Sequence, residues 1–424
     1  MSIESPTGHK AVTRCRGCSA VLPPPFLDLG RTPLANSYLR PQDTQQKEET
    51  FPLATAYCPA CHLVQLTETV SPEKLFSEYL YFSSFSDSFL EHSRRMAEDL
   101  SRQMGLDGKS LVLEIASNDG YLLQYFKQMG IRVLGVDPAR NIAAEANRRG
   151  IPTMCRFFSE DSASEVLYKH GQADLILGNN VLAHVPTINS FLRGVRLCLK
   201  SGGAASFEFP YLRHLLERIE FDTIYHEHVF YYSLSALRIL AERAGLELWN
   251  VIPQPAHGGS LRVFLQHPGN RAIEPVVDEM LVSEAQQGFT NAASYGTFGQ
   301  RVVRLREELL ELLRKLKSTG HRIAGYGAPA KGSTLLNYCG IGTDLIEFTV
   351  DRSPHKQGRL LPGSHIPIKP PEALLREQPD FAVILPWNIT AEIVSQQLAY
   401  QQRGGRFIVP IPRPRILEAM TGQA

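Results

Sequence analysis

The chain has 424 residues, 43% hydrophobic and 21% charged, with 44 Lys and Arg against 43 Asp and Glu for a formal net charge of +1. That length exceeds one core, so two or three domains are expected, and the balanced charge excludes the basic excess that binding a nucleic-acid polymer demands. The longest apolar runs, "LVLEIA" and "FAVILPW", are strand-sized and too short to span a membrane, and "MSIESPTGHK" lacks an apolar leader core, so a cytoplasmic protein is expected.

The first region, to about Val70, is dense in Pro and turns: "CRGC", "LPPPFLDLGRTPLANSYL" and "CPACHLVQL". Its predicted strands are short, so it could hardly hold a core alone. Cys15-x2-Cys18 and Cys58-x2-Cys61 are paired units among seven cysteines, an odd number that fits a reducing compartment and a metal better than disulfides. Each unit makes a tight knuckle with two thiolates aimed at one ion, and two knuckles complete a tetrahedral S4 set that suits zinc. Four thiolates leave no open position, so the zinc is expected to be structural. Cys155, Cys198 and Cys339 lie in apolar contexts and are expected to be buried small hydrophobes.

The second region opens with the helical stretch "SFLEHSRRMAEDLSRQMG". Strand and helix patterns then alternate: "SLVLEIA", "YLLQYFKQMG", "IRVLGVDP", "NIAAEANRRG", "ADLILGNNV", "TINSFLRGVRLCL" and "GGAASFEFP". This spacing predicts a doubly wound parallel sheet, continuing through "LSALRILAERAGLELWNVIP" and "GSLRVFLQH". In "LVLEIASNDGYLLQYF", Glu114 stands near the strand end and Gly120 where the backbone can approach a ligand. Asp137 follows 23 residues after Glu114, where a carboxylate can bind both hydroxyls of a ribose. A turn with one glycine cannot cradle a pyrophosphate as GxGxxG does. S-adenosylmethionine, which has a ribose and an amino-acid tail but no phosphate, fits better than a dinucleotide. Candidate cofactor contacts are Glu114, Ala116, Asn118, Gly120 and Tyr121 in the turn, then Asp137, Pro138, Phe158 in "CRFFSED", and Asn179 and Asn180 after the fourth strand. A Rossmann-like unit without a methyl donor is the alternative on these features alone.

A helical connector follows, roughly Glu274 to Ser318, whose leucines at helical spacing read as packing. "HRIAGYGAPAKGSTLLNY", "LIEFTVDR", "FAVILPW" and "GGRFIVPIP" then form a second, smaller α/β unit. Lys331, at a helix start beside a glycine turn, makes a phosphate seat from backbone N–H groups and one cation. Arg359 in "HKQGR" and Arg262 in "GGSLRVF" add basic groups, though such residues taken singly are more often solvated surface charges.

"YHEHVFYYS" sets two histidines, a glutamate and a tyrosine within Tyr225–His228. Histidines two apart share one face of a strand but supply only two ligands, so acid/base work and a satisfied core remain as readings.

With these motifs in view, the chain resembles the S-adenosylmethionine-dependent sugar C-methyltransferases, which methylate C-3 of nucleotide-linked 4-keto-deoxysugars in antibiotic biosynthesis. The likeness covers nearly the whole chain through the paired CxxC units, "EIASNDGYLL", "LGNNVLAHV", "YHEHVFYYS", "GGSLRVF", "YGAPAKGSTLLNYCGI" and "VDRSPHKQGRLLPGSHIPI". It implies an α/β fold in three parts: a zinc-binding domain over 1–72, a Rossmann-like class I methyltransferase domain over 73–272, and a connector with a C-terminal Rossmann-like domain over 273–424. The expected partner is a nucleotide sugar, TDP-linked, with no nucleic-acid polymer or membrane, and the expected state is a monomer. The resemblance makes His228 the catalytic base, with Glu227 and Tyr225 beside it and Tyr79 and His184 in the pocket. Tyr326, Lys331, Ser333, Asn337, Arg262 and Arg359 are the candidates for the substrate. Pro329 and Ser333 stand where the family more commonly has Ala and Asn, which bears on nucleotide and sugar preference more than on the reaction. The alternative is the same donor with a hydroxyl, amine or non-sugar carbon acid as acceptor. An NAD-dependent dehydrogenase is disfavoured because neither α/β unit has GxGxxG, and a zinc-ribbon interaction protein because the polar motif keeps His228 and Glu227.

Overall fold

Leu111–Ile115 is buried along its whole length and lies inside a seven-stranded sheet, as a continuous apolar run requires of a strand covered on both faces. The computed structural model describes residues 9–45, 47–76, 84, 87–254 and 259–418. In chain order the strands of this sheet are Leu111–Ile115, Arg132–Asp137, Thr153–Cys155, Ala173–Asn179, Leu199–Pro210, Glu247–Gln254 and Ser260–Gln266. They lie side by side in the order 3-2-1-4-5-7-6, the first five parallel. The order reverses between the first and fourth strands, and ligands bind outside the carboxyl ends of strands at such a switch point. The last two strands depart from the expected parallel sheet. The few residues between Gln254 and Ser260 cannot make a crossover, so the pair is an antiparallel hairpin, joined antiparallel to Leu199–Pro210.

The N-terminal region completes its sheet with a borrowed strand. Leu27–Thr32, Phe51–Tyr57 and Val64–Leu66 are joined by Phe230–Tyr231 from the "YHEHVFYYS" motif, Phe230 opposite Gln65 and Tyr231 opposite Val64. Its core is continuous with that of the central sheet. The long helix Ala292–Ser318 closes the other side: Tyr295 stacks on Tyr57 at 4.2 Å, and Gly299 is needed because a Cβ there would come within 2.5 Å of the Phe26 carbonyl oxygen. Leu305, Leu309, Leu313 and Leu316 of this helix are buried, in keeping with a packing role.

Helix Leu234–Arg243, directly after the motif, has an unusual cap. Ser233 accepts the Ala236 N–H, while Glu284, from helix Pro275–Gln286, accepts the Leu234 and Ser235 N–H groups at 2.7 and 2.8 Å and the Tyr211 hydroxyl at 2.8 Å. A carboxylate is favoured there because the exposed N–H groups and the helix dipole both call for an anion.

The C-terminal sheet has strands Ile323–Tyr326, Thr349–Val350, Ile368–Lys369, Phe381–Ile384, Arg406–Val409 and Arg415–Ile416, in the order 3-2-1-4-5-6, parallel but for the last. Cys198 and Cys339 are buried as expected, but Cys155 is exposed because it ends the edge strand of the central seven-stranded sheet. No helix among the described residues is long and apolar enough to cross a membrane.

Candidate active site

After Leu111–Ile115 the chain turns through left-handed residues, Ala116 (φ 57°), Asn118 (φ 49°) and Gly120 (φ 81°). Alanine seldom adopts this conformation, so its neighbours must enforce it. The Ala116 N–H donates to the Val136 carbonyl at 2.7 Å, and the Asn118 N–H to Asp137 Oδ2 at 3.0 Å. The Ala139 N–H holds Asp137 Oδ1 at 2.9 Å, so both carboxylate oxygens are oriented by backbone. Burial pushes the Asp137 pKa up to about 6, against the pull of those two N–H groups.

Ala116, Asn118, Tyr121, Asp137, Pro138, Phe158, Asn179 and Asn180 line one large cavity of about 1500 Å³, joined there by Phe157. The other two cofactor candidates are not in its wall. Glu114 is wholly buried beneath the turn, and that burial raises its pKa well above the carboxylate range. Gly120 turns its missing side chain toward Ile151, where a Cβ would sit 2.8 Å from Cγ1, so packing and the left-handed turn both require a glycine there.

The same cavity is lined by His184, Tyr225 and His228. Tyr225–His228 is a β-turn closed by the His228 N–H on the Tyr225 carbonyl at 2.9 Å, not the strand expected, and the two histidines therefore diverge. His226 is buried against the N-terminal sheet, its Nε2 bonded to the Pro52 carbonyl at 3.2 Å. His228 faces the cavity. Its Nδ1 lies 3.0 Å from the Thr223 carbonyl, which can only accept, so Nδ1 carries a proton, and Nε2, 2.8 Å from the Tyr225 hydroxyl, accepts from it when the ring is neutral. His184 meets His228 edge to face at 4.9 Å, and burial lowers its pKa to about 4, so it is neutral near pH 7. The turn is clamped on both sides: the Val229 N–H donates to the Ala183 carbonyl at 2.7 Å, and the Leu66 N–H to the Val229 carbonyl at 2.9 Å. Glu227 is not in the described cavity wall. It is buried, its pKa pushed up to about 6 by that burial against the opposing Asn36 amide, which donates to it at 2.7 Å. Tyr79 lies outside the described residues.

Among the six substrate candidates, Lys331 alone is in the described cavity wall. Its ammonium sits 4.4 Å over the Trp387 ring and bonds Asn388 Oδ1. Burial lowers its pKa, while the Asp222 and Glu220 carboxylates hold it up. Arg262 is taken by a buried ion pair with Glu208 at 2.9 Å, across adjacent strands. Ser333, on helix Ala330–Cys339, donates to the Ala35 carbonyl of the N-terminal region at 3.0 Å, and Asn337 donates to the Ser333 carbonyl of its own helix and to the Pro362 carbonyl. Tyr326 is in the C-terminal core with its hydroxyl on the Gln397 amide, and Arg359 stands off the wall. Glu220 and Arg16 are among the wall residues that escaped the sequence reading. Glu220 is pushed up to about 7 by burial and the nearby Asp222, and Arg16 of the "CRGC" knuckle donates to the Leu66 carbonyl at 2.6 Å. An acid pair inside the apolar "ERIEFDTIYH" was the available signal for the first.

The sulfurs of Cys15, Cys18, Cys58 and Cys61 lie within 4.8 Å of one another, the pairs Cys15–Cys61 and Cys18–Cys58 at 3.5 Å. A tetrahedral zinc with Zn–S of about 2.3 Å sets its sulfurs about 3.8 Å apart, so the set fits that ion. Each knuckle ends in a left-handed residue, Ser19 (φ 67°) and His62 (φ 61°), whose N–H groups return to the Cys15 and Cys58 carbonyls. The Gln65 amide donates to Cys15 Sγ at 3.0 Å, the kind of outer contact that orients a thiolate ligand.

Three family models match in succession: "Putative zinc binding domain" over residues 15–76, "Methyltransferase domain" over 88–251 and "C-methyltransferase C-terminal domain" over 255–412. The four cysteines are the ligand set of that zinc-binding domain. Among solved structures, an S-adenosylmethionine-dependent methyltransferase from Clostridium acetobutylicum is similar at 12% identity and a TM-score of 0.36, over 44% of this chain and 94% of that one. The PH0226 protein from Pyrococcus horikoshii is similar at 16% identity and a TM-score of 0.35, over the same shares. The C-methyltransferase NovU from Streptomyces niveus is 40% identical over 411 residues, 97% of this chain and 98% of that protein. At that identity and coverage, the chain belongs to the C-methyltransferase family.

Proposed function

We propose that the protein transfers a methyl group from S-adenosylmethionine to C-3 of a TDP-linked 4-keto-deoxysugar, through an enolate formed by His228. The observation that carries this reading is the placement of His228, whose Nδ1 is held on the Thr223 carbonyl and whose Nε2 meets the Tyr225 hydroxyl, in a cavity whose wall also holds Asp137 and Lys331. The volume supports two ligands at once: about 1500 Å³ exceeds the roughly 300–1,000 Å³ of a single-ligand pocket.

Bound S-adenosylmethionine supplies an electrophilic methyl on a sulfonium. Asp137, with both oxygens already aimed, would hold the ribose, Phe157 and Phe158 the adenine, and the Ala116–Asn118 turn with Asn179 the amino-acid tail. Lys331 would take the diphosphate of the sugar nucleotide. A ketone at C-4 acidifies the proton on C-3, which His228 Nε2 removes, and the Nδ1–H bond to the Thr223 carbonyl stabilises the resulting imidazolium. The Tyr225 hydroxyl, displaced from Nε2 by the arriving proton, is then available to donate to the enolate oxygen. Neutral His184 adds no positive charge beside His228, which would lower its basicity.

Loss of C-3 deuterium from a labelled 4-keto sugar nucleotide tests the reading. His228→Ala should slow that exchange by about a thousandfold, within the range general-base catalysis supplies. Exchange at the wild-type rate would place the base elsewhere, and turnover of only a hydroxyl or amine acceptor would sink the C-3 assignment.

A further inference from the structure

We infer that Trp387 and Asp222 are positioning residues for His228, so that the C-terminal unit sets the orientation and tautomer of the imidazole through a buried hydrogen-bonded chain. The inference rests on the reading of His228 as the base.

Trp387 follows strand Phe381–Ile384 of the C-terminal sheet, and its Nε1–H donates to Asp222 Oδ2 at 2.7 Å, both groups buried. Asp222 is the middle residue of the short helical turn Phe221–Thr223. The carbonyl that ends this turn, on Thr223, is the acceptor for His228 Nδ1–H at 3.0 Å. A second anchor comes from the same unit: Phe221 packs edge-on against Tyr338 of helix Ala330–Cys339, centroids 5.3 Å apart. The side chains that seat the turn therefore belong to a different domain from the histidine it holds.

A carbonyl accepts and never donates, so its placement alone selects the imidazole with the proton on Nδ1 and leaves Nε2 as the lone-pair nitrogen. Moving that carbonyl frees the ring to turn or to exchange tautomers, and the Tyr225 hydroxyl can serve either nitrogen state because it both donates and accepts. The indole does double duty. Lys331 lies over its face while its N–H holds Asp222, so the cation proposed to seat the diphosphate and the carbonyl that orients the base share one side chain.

The test uses the full-length, zinc-loaded protein with ¹⁵N-labelled histidine, the His228 signals assigned by their loss in His228→Asn. The wild type should show the Nδ1–H tautomer. Trp387→Phe keeps the aromatic face under Lys331 but removes the N–H. It should populate the Nε2–H tautomer, and kcat should fall by about 100-fold, the scale of a misplacement of about 1 Å, with both KM values within about threefold. Asp222→Leu should reproduce both effects, whereas Asp222→Asn, whose amide oxygen still accepts from the indole, should keep the tautomer and about a third or more of kcat. Zinc content and melting temperature certify the fold of each variant. If either folded variant, Trp387→Phe or Asp222→Leu, retains the pure Nδ1–H tautomer, the inference is overturned whatever its activity. A tautomer shift with unchanged kcat upholds the positioning chain and overturns His228 as the base, so the two ideas fail separately.

Discussion

At the end of its second strand the central sheet carries Asp137, whose Oδ2 accepts the Asn118 N–H at 3.0 Å and whose Oδ1 accepts the Ala139 N–H at 2.9 Å. At the equivalent place in the C-terminal sheet, Asp351 accepts the Ala328 N–H through Oδ2 at 2.7 Å and the Ser353 N–H through Oδ1 at 2.8 Å. Both carboxylates pin the turn after the first strand and the second residue beyond themselves. Their surroundings differ. Asp137 opens on the cavity, whereas Asp351 is faced by Lys356 at 3.8 Å, and Lys356 and Tyr38 both donate to the Ala328 carbonyl, at 2.9 and 2.7 Å. The second notch is filled by the protein's own side chains, one of them from the N-terminal region. Topology makes a ligand notch at a switch point, but what neighbouring residues leave open decides whether it is one. The C-terminal unit acts as a wall, showing the cavity Lys331 and Asn388 instead.

Removing the zinc should break this contrast most severely. The metal staples the region that supplies Tyr38 and pairs with Phe230–Tyr231, and structural zinc is worth about 10 kcal/mol or more in isolated zinc peptides. Cys58→Ser, or exhaustive chelation, should abolish turnover and raise hydrogen exchange both at Phe230–Tyr231 and in the Ala328 turn. Unchanged protection at either place would show that the zinc region does not support it. The two aspartates give the next largest effect. Asp137→Asn should weaken S-adenosylmethionine binding by about 100-fold in calorimetry, as loss of two charged hydrogen bonds implies, while Asp351→Asn should leave it within about twofold. Equal losses would erase the distinction.

The pH dependence sharpens it further. Burial raises the Asp137 pKa to about 6, and the ribose hydroxyls proposed to bind there would donate to the ionised form, so affinity should fall up to about tenfold per pH unit below 6 and be flat above it. Asp137→Asn should remove that slope. For the ligand-free fold the sign reverses. The folded protein holds the proton more tightly than the unfolded chain at Asp137, Asp222 and Glu227, each at about 6. Their contribution is therefore fully present at acid pH and lost as pH rises from their unfolded values toward 6, which urea midpoints would record. The smallest effect belongs to Lys356→Met. Leaving Asp351 without its cation should cost about 1–2 kcal/mol, a few degrees of melting temperature, with the KM for S-adenosylmethionine unmoved.

The parts legible in the sequence were those written in local spacing. The two CxxC knuckles, the strand and helix alternation, and Asp137 at a strand end each need only a few neighbouring residues to be read. The parts that were not legible depend on distant partners. Nothing near Arg262 announces that Glu208 stands opposite it in the next strand, and nothing near Ser333 announces the Ala35 carbonyl. "YHEHVFYYS" alternates like a strand, yet only Phe230–Tyr231 is one, because the clamps on Val229 from Ala183 and Leu66 impose a turn just before it. That turn separates a histidine in the wall of the core from one in the wall of the cavity.

Glu284 bears on how the chain can be made and cut. The first backbone N–H groups of the helix behind the motif find their acceptor 50 residues further along, so on the ribosome that helix emerges before the group that completes it. A fragment ending at residue 272 would hold every strand of the central sheet, yet would take the Glu284 acceptor from the Leu234 and Ser235 N–H groups, next to the segment that carries His228. The central unit is therefore not a cassette that can be excised or transplanted, and any chimaera that keeps its chemistry must carry the connector helix with it.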